Sequence, residues 1–440
     1  MKSEKYFFNS WFTTLNNNNV KYAVLRNYES LPENSGGSDI DIWVKKEDYN
    51  KFIYITNNCA EKNKIELTSY TPDKNCPKIC YLGVNYGVQI DVFCGDITYK
   101  RATIFPENVI ELNIILYRKI PVIKKSLSAL IAFIKEILNN GKCDAKYIKG
   151  IIEEKKNLDE QFLESSLKIF NKDFIISIYD SIQSNNIDNN IKELTKIGRE
   201  SIKKNTIGRY YGFLCKLRRL FKQPGYTIAF LGTDGSGKST IINAVTPILN
   251  KGFHNGIRYE HMRPNYIPSL AEFIGKKNPD TIMEICSNPH ASKPSGFVGS
   301  LLRISYYMSD YTFGYFRKVF LDKAFKTHIW VFDRYYYDYF IDPRRGRISL
   351  PKWILKFFGL FVPTPDIILC LGGDPTKIYE RKPETSLQEV TRQTKALKAF
   401  CDNNKNAVWI DTTTTPQESI ERVMTSIVEI MKKRFSNTKL

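Results

Sequence analysis

Two sets of residues in this chain have the types and spacing to do chemistry on phosphate esters. The first is the run Gly232-Thr233-Asp234-Gly235-Ser236-Gly237-Lys238-Ser239-Thr240, which fits G-x-x-x-x-G-K-[ST] in full. Its glycines let backbone N–H groups turn inward around phosphates, with the positive end of a following helix behind them. Lys238 can then reach β- and γ-phosphates, and the Ser239 hydroxyl can ligate Mg²⁺. Lys238 is expected to be a surface cation of the loop, so its loss should change stability little. The second set is carboxylates. Asp39 and Asp41 stand at i and i+2 in Gly36-Gly37-Ser38-Asp39-Ile40-Asp41-Ile42, facing one side of a strand. Asp91 lies in a second apolar run, Gln89-Ile90-Asp91-Val92-Phe93. Three carboxylates converging from neighbouring strands suit a two-Mg²⁺ site for nucleotidyl transfer.

Further residues fit the first chemistry. Ile329-Trp330-Val331-Phe332-Asp333-Arg334-Tyr335 is an apolar strand ending in a carboxylate, as a second residue on the Mg²⁺ side requires. Arg334 beside it could clamp the phosphate of an acceptor. Arg381 and Lys382 follow a later apolar strand, with Glu384 and Arg392 beyond. Arginines over a transferring phosphoryl group stabilise its spread charge and exclude water. Arg344 and Arg345 read equally as a functional pair or a solvated turn after Pro343, and His261 as a core residue or a contact. The aromatic run from Tyr335 to Phe340 reads as packing rather than as a stacking platform.

These side chains need elements to hold them. Residues 226–231 form an apolar run before the glycines, and 241–245 read as the first turns of a helix after them. From 223 to 440 strand and helix patterns alternate, which predicts a doubly wound parallel sheet. Residues 1–104 predict a smaller α/β domain, with strands at 22–25, 40–44 and 88–93. Between them, 105–222 loses the β-branched alternation. Leu127, Leu130, Ile131, Ile134 and Leu138 recur at helical spacing, and polar breaks fall at Asn139-Asn140-Gly141 and Asn185-Asn186. The stretch 206–224, with Arg209, Lys216, Arg218, Arg219 and Lys222, reads as a basic connector. The expected fold class is thus α/β with a helical middle domain, in three domains: 1–104, 105–222 and 223–440.

Composition narrows the function classes. The chain has 440 residues, 42% hydrophobic and 25% charged, ordinary for a globular protein. No apolar run is long enough to span a bilayer, and the start lacks a signal-peptide core, so a cytoplasmic protein is expected. Nine cysteines are scattered, with Cys76 and Cys80 the closest pair and no histidine nearby, which argues for reduced thiols and against zinc. Net charge is +19, and its share is +1 over 1–104, +8 over 105–222 and +10 over 223–440. That excess suits an anionic substrate, a nucleic acid or an acidic surface, or reflects a lysine-rich proteome. Nucleic-acid binding has no interleaved aromatic-basic motif behind it.

Residues 226–435 resemble the thymidylate-kinase-like branch of the nucleoside monophosphate kinases, through the Asp-Gly-Ser-Gly-Lys-Ser-Thr loop, the Asp-Arg-Tyr strand end and the late Arg381-Lys382 segment. The resemblance implies ATP and Mg²⁺ as cofactors and gives Asp234 a contact to an acceptor sugar hydroxyl. It maps the family's aspartate–arginine pair onto Asp333 and Arg334. The chain departs from that family where the nucleotide acceptor sits. Tyr335-Tyr336-Tyr337-Asp338 replaces the serine and glutamine stretch, and Met308-Ser309-Asp310-Tyr311 replaces the middle-helix Asp-Arg pair. His261-Met262-Arg263-Pro264, Asp342-Pro343-Arg344-Arg345 and Arg381-Lys382-Pro383-Glu384 look more like related proteins of bacterial surface-polysaccharide genes. Residues 8–104 resemble the DNA-polymerase-β-like nucleotidyltransferases, with Asp39, Asp41 and Asp91 as the implied metal ligands. That family's Gly-Ser pair is replaced by Leu25-Arg26-Asn27, where Arg26 could contact phosphate.

Together these readings predict a Mg²⁺-dependent, two-site enzyme. Its phosphotransferase acts on an anionic small molecule or a saccharide or nucleotide intermediate, and dTMP is a poor acceptor. The alternative is a nucleotidyltransferase whose P-loop domain is an ATP-binding switch or partner-binding module. The oligomeric state is open, a homodimer included.

Overall fold

The computed structural model describes residues 3–73, 76–100, 102–202, 208–268, 295–436 and 438. Two compact units emerge, one mainly Met1–Tyr81 with Val88–Arg218, the other mainly Arg219–Asn437.

The first unit is organised by a seven-stranded mixed sheet. Its strands are β1 (Tyr22–Val24), β2 (Ile40–Val44), β3 (Glu66–Thr71), β4 (Lys78–Leu82), β5 (Gly87–Cys94), β8 (Ile114–Tyr117) and β9 (Ile120–Ile123), in the order β3-β4-β5-β2-β1-β9-β8. A separate two-stranded ribbon, β6 (Ile97–Tyr99) and β7 (Ala102–Phe105), precedes β8 in the chain. Every residue of β2 is buried, which explains its apolar run. β2 and β5 run parallel, with Asp41 directly opposite Asp91. This register brings the acidic positions of two distant stretches side by side.

The helix Lys125–Asn140 buries Leu127, Leu130, Ile131, Ile134 and Leu138, the residues of the predicted stripe, and ends at Gly141 in the left-handed region. Its residues share one core with Trp43 of β2, Phe93 of β5 and the later helices Lys172–Gln183 and Ile187–Ser201. Asn185 and Asn186 form the break between those two helices. The expected basic connector is different: Gly208–Phe221 is a helix, and 203–207, together with the side chains of 208–211, lie outside the described residues. Phe213, Leu214 and Leu217 give this segment helical apolar spacing that its basic residues obscure in the sequence.

The second unit is a five-stranded sheet of β10 (Tyr226–Gly232), β11 (Ile257–His261), β12 (Ile329–Asp333), β13 (Ile367–Gly372) and β14 (Ala407–Asp411). Its order is β11-β12-β10-β13-β14 and every pairing is parallel. The chain leaves β10 to build one side of the sheet and returns to build the other. Beside β10 the strand order reverses, the position at which open parallel sheets form a crevice at the carboxyl ends of their strands. The central strands β10, β12 and β13 are buried along their whole length, as expected for parallel strands covered on both faces. Tyr335, Tyr336, Tyr337 and Tyr339 belong to the core of this unit, so the aromatic run is packing.

Candidate active sites

The glycine-rich loop leaves β10 and feeds the helix Lys238–Gly252. Two of its glycines have no substitute. A Cβ on Gly232 would lie 2.5 Å from Ser236 Oγ and 2.8 Å from Leu371 O. Gly235 has φ +81°, and a Cβ there would lie 2.5 Å from Ile378 O. The loop is thereby pressed against the helix Pro375–Arg381.

Lys238 is not the exposed loop cation anticipated above. It is buried, and its ammonium donates to Gly232 O and Thr233 O, each at 2.9 Å. Burial, then the charge of Arg334, pushes it down to about 7. Arg334, Asp333 and Asp338, whose charges act on it, come from a segment remote in sequence that local reading does not bring to the loop. Ser239 and Thr240 are exposed at the helix start.

Asp333 ends β12, opposite Phe230 of β10 and His261 of β11. Tyr259 donates its hydroxyl to Asp333 Oδ2 at 3.2 Å, and His261 Nδ1 stands 4.0 Å away. Asp333 Oδ1 is buried with no hydrogen-bond partner, as are Thr233 Oγ1 and Ser236 Oγ. Three orphaned buried polar atoms, two in the glycine-rich loop and one at the end of the neighbouring strand β12, are a costly arrangement for a protein that binds nothing there. Their chemistry fits Mg²⁺ at Asp333 and phosphate oxygens at the hydroxyls.

Arg334 has φ +73°, in the left-handed region that a long side chain rarely adopts. Its buried guanidinium donates to Gly232 O at 3.2 Å, to Asp338 Oδ2 at 3.2 Å and to Asp234 Oδ1 at 2.6 Å. Strain of this kind persists where the surroundings over-determine it, and it clusters at functional sites. Asp234 also accepts from Arg345. Burial alone would raise the Asp234 carboxyl; the charges of Arg334, Arg345, Lys238 and Lys382 outweigh it and hold the group below its ordinary value. Arg345, left undecided by the sequence, therefore stands in the site, while His261 is a half-exposed contact at its edge. Arg381 points elsewhere: it donates to Thr412 O at 2.8 Å. Its neighbour Lys382 approaches the loop, with its Cβ 3.2 Å from the Cβ position of Gly235. Arg392 is held by Glu389 and Ile341 O.

In the first unit, Asp39, Asp41 and Asp91 each offer an oxygen within 4.8 Å of the others. Burial, with the charges of Asp39 and Asp91, pushes the Asp41 carboxyl up to about 6, against the opposing pull of Arg26. Ser38 Oγ donates to Asp39 at 3.2 Å and Gln89 Nε2 to Asp91 at 2.9 Å. Two bases join them: Arg26 pairs with Asp41, and Lys78 with Asp91 at 2.7 Å. Sequence reading had raised Arg26 as a phosphate contact and missed Lys78. A cavity of about 200 Å³ opens beside Asp41 and Arg26, walled by Phe93, Lys135, Asn139 and Tyr147. The donor set is all carboxylate oxygen, which fits a hard divalent cation.

No protein-family model matches the chain, and no curated protein matches it. Among solved structures, a thymidylate kinase from Ehrlichia chaffeensis is similar at 15% identity, over 47% of this chain and 100% of its own, with a TM-score of 0.32. A thymidylate kinase from Candida albicans is similar at 16% identity, over 48% of this chain and 93% of its own, with a TM-score of 0.34. Scores at this level are too low to carry a fold, which rests here on the strand order and the loop geometry. Among the described residues no helix is long and apolar enough to cross a membrane.

Proposed function

We propose that the Arg219–Asn437 unit is an ATP- and Mg²⁺-dependent phosphotransferase of the thymidylate-kinase-like type, with an acceptor other than dTMP. The observation that carries this is the crevice at the end of β10. A desolvated lysine, a strained buried arginine and an aspartate with an orphaned oxygen converge on a glycine-rich loop. ATP supplies the phosphoryl group and Mg²⁺ neutralises its charge when bound. The chain's own part is positioning. Loop N–H groups and Lys238 hold the phosphates, and Arg334 faces the acceptor side. Asp234, kept ionised by two arginines, accepts a hydrogen bond from an acceptor hydroxyl rather than shuttling a proton. A pure nucleotide switch needs no such acceptor clamp.

The acceptor is an anionic small molecule, such as a phosphorylated saccharide or a nucleotide intermediate. Tyr311 stands where the family carries an arginine, and it is fully buried with its hydroxyl on Met262 O at 2.6 Å. It packs rather than reading a base. The companion reading is that Asp39, Asp41 and Asp91 bind Mg²⁺ for nucleotidyl transfer in the first unit, supported by their mutual approach and the raised Asp41.

The test is phosphotransfer from labelled ATP to a panel of nucleoside monophosphates, sugars and sugar phosphates, read by mass spectrometry. A phosphorylated product that disappears with Lys238→Ala supports the reading. A specificity constant for dTMP of about 10⁴ M⁻¹s⁻¹ or higher would overturn the acceptor assignment. Tight ATP binding with no transfer to any acceptor would favour the switch.

A further inference from the structure

The Arg219–Asn437 unit carries a face that its core leaves uncovered among the described residues. The helix Phe297–Ser309 runs on into the π-helical turns Asp310–Phe320, and the helix Lys352–Gly359 packs beside it. Thr312 Oγ1 donates to Phe361 O at 3.0 Å, so the middle of the first element adjoins the end of the second. Lys352–Gly359 turns Ile354 and Leu355 into the core and leaves Trp353 71% and Phe357 53% exposed. Leu360, at 79%, and Phe361, at 52%, extend the same edge. Phe313 and Phe316 stand out from the π-helical turns, and Leu302 from the helix before them, each more than half exposed. Single exposed hydrophobes need no explanation, but a run of aromatics on adjoining elements marks an interaction surface.

Charge indicates what the surface meets. Lys352 and Lys356 are exposed between the aromatics of the short helix, and Arg317 is exposed next to Phe316. Between Pro351 and Asp366 the chain has no acidic residue, and its basic ones are Lys352 and Lys356. From 297 to 325 the acids are Asp310 and Asp322. Asp310 is wholly buried and paired with Arg263 at 3.0 Å; Asp322 is paired with Lys326 at 2.8 Å and His328 at 2.9 Å. The face therefore combines apolar rings with cations, its acids being turned inward or paired. Among the described residues, a second copy docked by the same face would set Lys352, Lys356 and Arg317 against their own kind, Asp310 and Asp322 being already paired. An anionic bilayer surface offers both an apolar layer for the rings and phosphates for the lysines.

We propose that this face docks on an anionic lipid surface. Trp353, Phe357, Leu360 and Phe361 enter the boundary between headgroups and acyl chains, and Lys352 and Lys356 lie on the lipid phosphates. The attachment is peripheral and does not depend on the phosphotransferase reading.

The experiment is co-sedimentation of the full chain with phosphatidylcholine vesicles, with and without phosphatidylglycerol, across a salt series. Binding is expected only where phosphatidylglycerol is present, and it should weaken as salt rises. Lys352→Glu with Lys356→Glu should weaken it roughly tenfold or more. Trp353→Ser with Phe357→Ser should abolish it even at low salt, while the thermal midpoint and ATP binding stay unchanged. Failure to bind the anionic vesicles overturns the proposal, as does binding that survives the aromatic pair of substitutions. Light scattering that shows a dimer, reduced to monomer by that same pair, would assign the face to self-association and overturn it equally.

Discussion

The two candidate sites are mirror images in charge. At the end of β10 a base is pushed toward neutrality: Lys238, buried beside Arg334, falls to about 7. In the first unit an acid is pushed the same way: Asp41, buried beside Asp39 and Asp91, rises to about 6. Each perturbation costs free energy that a ligand of opposite sign would return. Under the proposed readings, the first site would take an anion and the second a cation. They also differ in how the excess is held meanwhile. Lys238 rests on two backbone carbonyls of its own loop, which a phosphate can replace in kind. Asp41 and Asp91 rest on Arg26 and Lys78, which a cation must displace or share the carboxylates with.

Removing the key charge on each side should break the comparison most severely. Lys238→Ala should lower ATP-dependent phosphotransfer about a hundredfold or more, because the lost contact is to the migrating group. Steady-state rates with a fixed acceptor measure this. The substitution also removes a desolvated charge, so the apoprotein's thermal midpoint should not fall by the several degrees typical of a core truncation.

Asp41→Asn should reduce binding of Mn²⁺ with a nucleoside triphosphate to the first unit by about tenfold or more, as loss of a metal-site residue does. Lys238→Ala should leave that binding intact. Calorimetry on the two full-length variants separates the sites; equal loss in both would show a single shared one.

Proton linkage gives the third contrast. Lys238 has a folded value near 7 and an unfolded one near 10.5. Between them the unfolded chain holds a proton that the folded chain lacks, so this group makes stability rise with pH across that window. Phosphates favour the ammonium. ATP binding at pH 8 should therefore take up a fraction of a proton, and almost none at pH 6. The slope of binding enthalpy against buffer ionisation enthalpy reads it directly.

The smallest effect is the converse at Asp41. Its folded value, about 6, lies above its unfolded 3.8, so its contribution to stability is lost as pH rises through 6. A divalent cation prefers the carboxylate. Mn²⁺ affinity should fall progressively as pH drops below 6, and titrations on either side of that value check it.

Much of this was legible in the chain because it is local. The glycine loop, the apolar strand ending in Asp333 and the Leu127–Leu138 stripe are contiguous patterns whose period or spacing is set by one element. The convergence of Asp91 on Asp39 and Asp41 was legible as a possibility, but the register that places Asp41 opposite Asp91 is a property of the sheet. What escaped is non-local. Arg345 reaches Asp234 across 111 positions, and nothing near Arg345 distinguishes it from a solvated turn. The electrostatic surroundings of Lys238 depend on Arg334, Asp333 and Asp338, which are remote from it in sequence. The helix Gly208–Phe221 was obscured because its charges mask a sparse apolar spacing.

The close approach of Gly235 to Ile378 has a mechanical side. With 2.5 Å between the Cβ position and that carbonyl, there is no slack between the phosphate loop and the helix Pro375–Arg381. The two are in close packing contact there. At the far end of that helix Arg381 grips the carbonyl of Thr412, just beyond β14. Consecutive contacts thus link the glycine-rich loop, the helix Pro375–Arg381 and the segment after the edge strand β14.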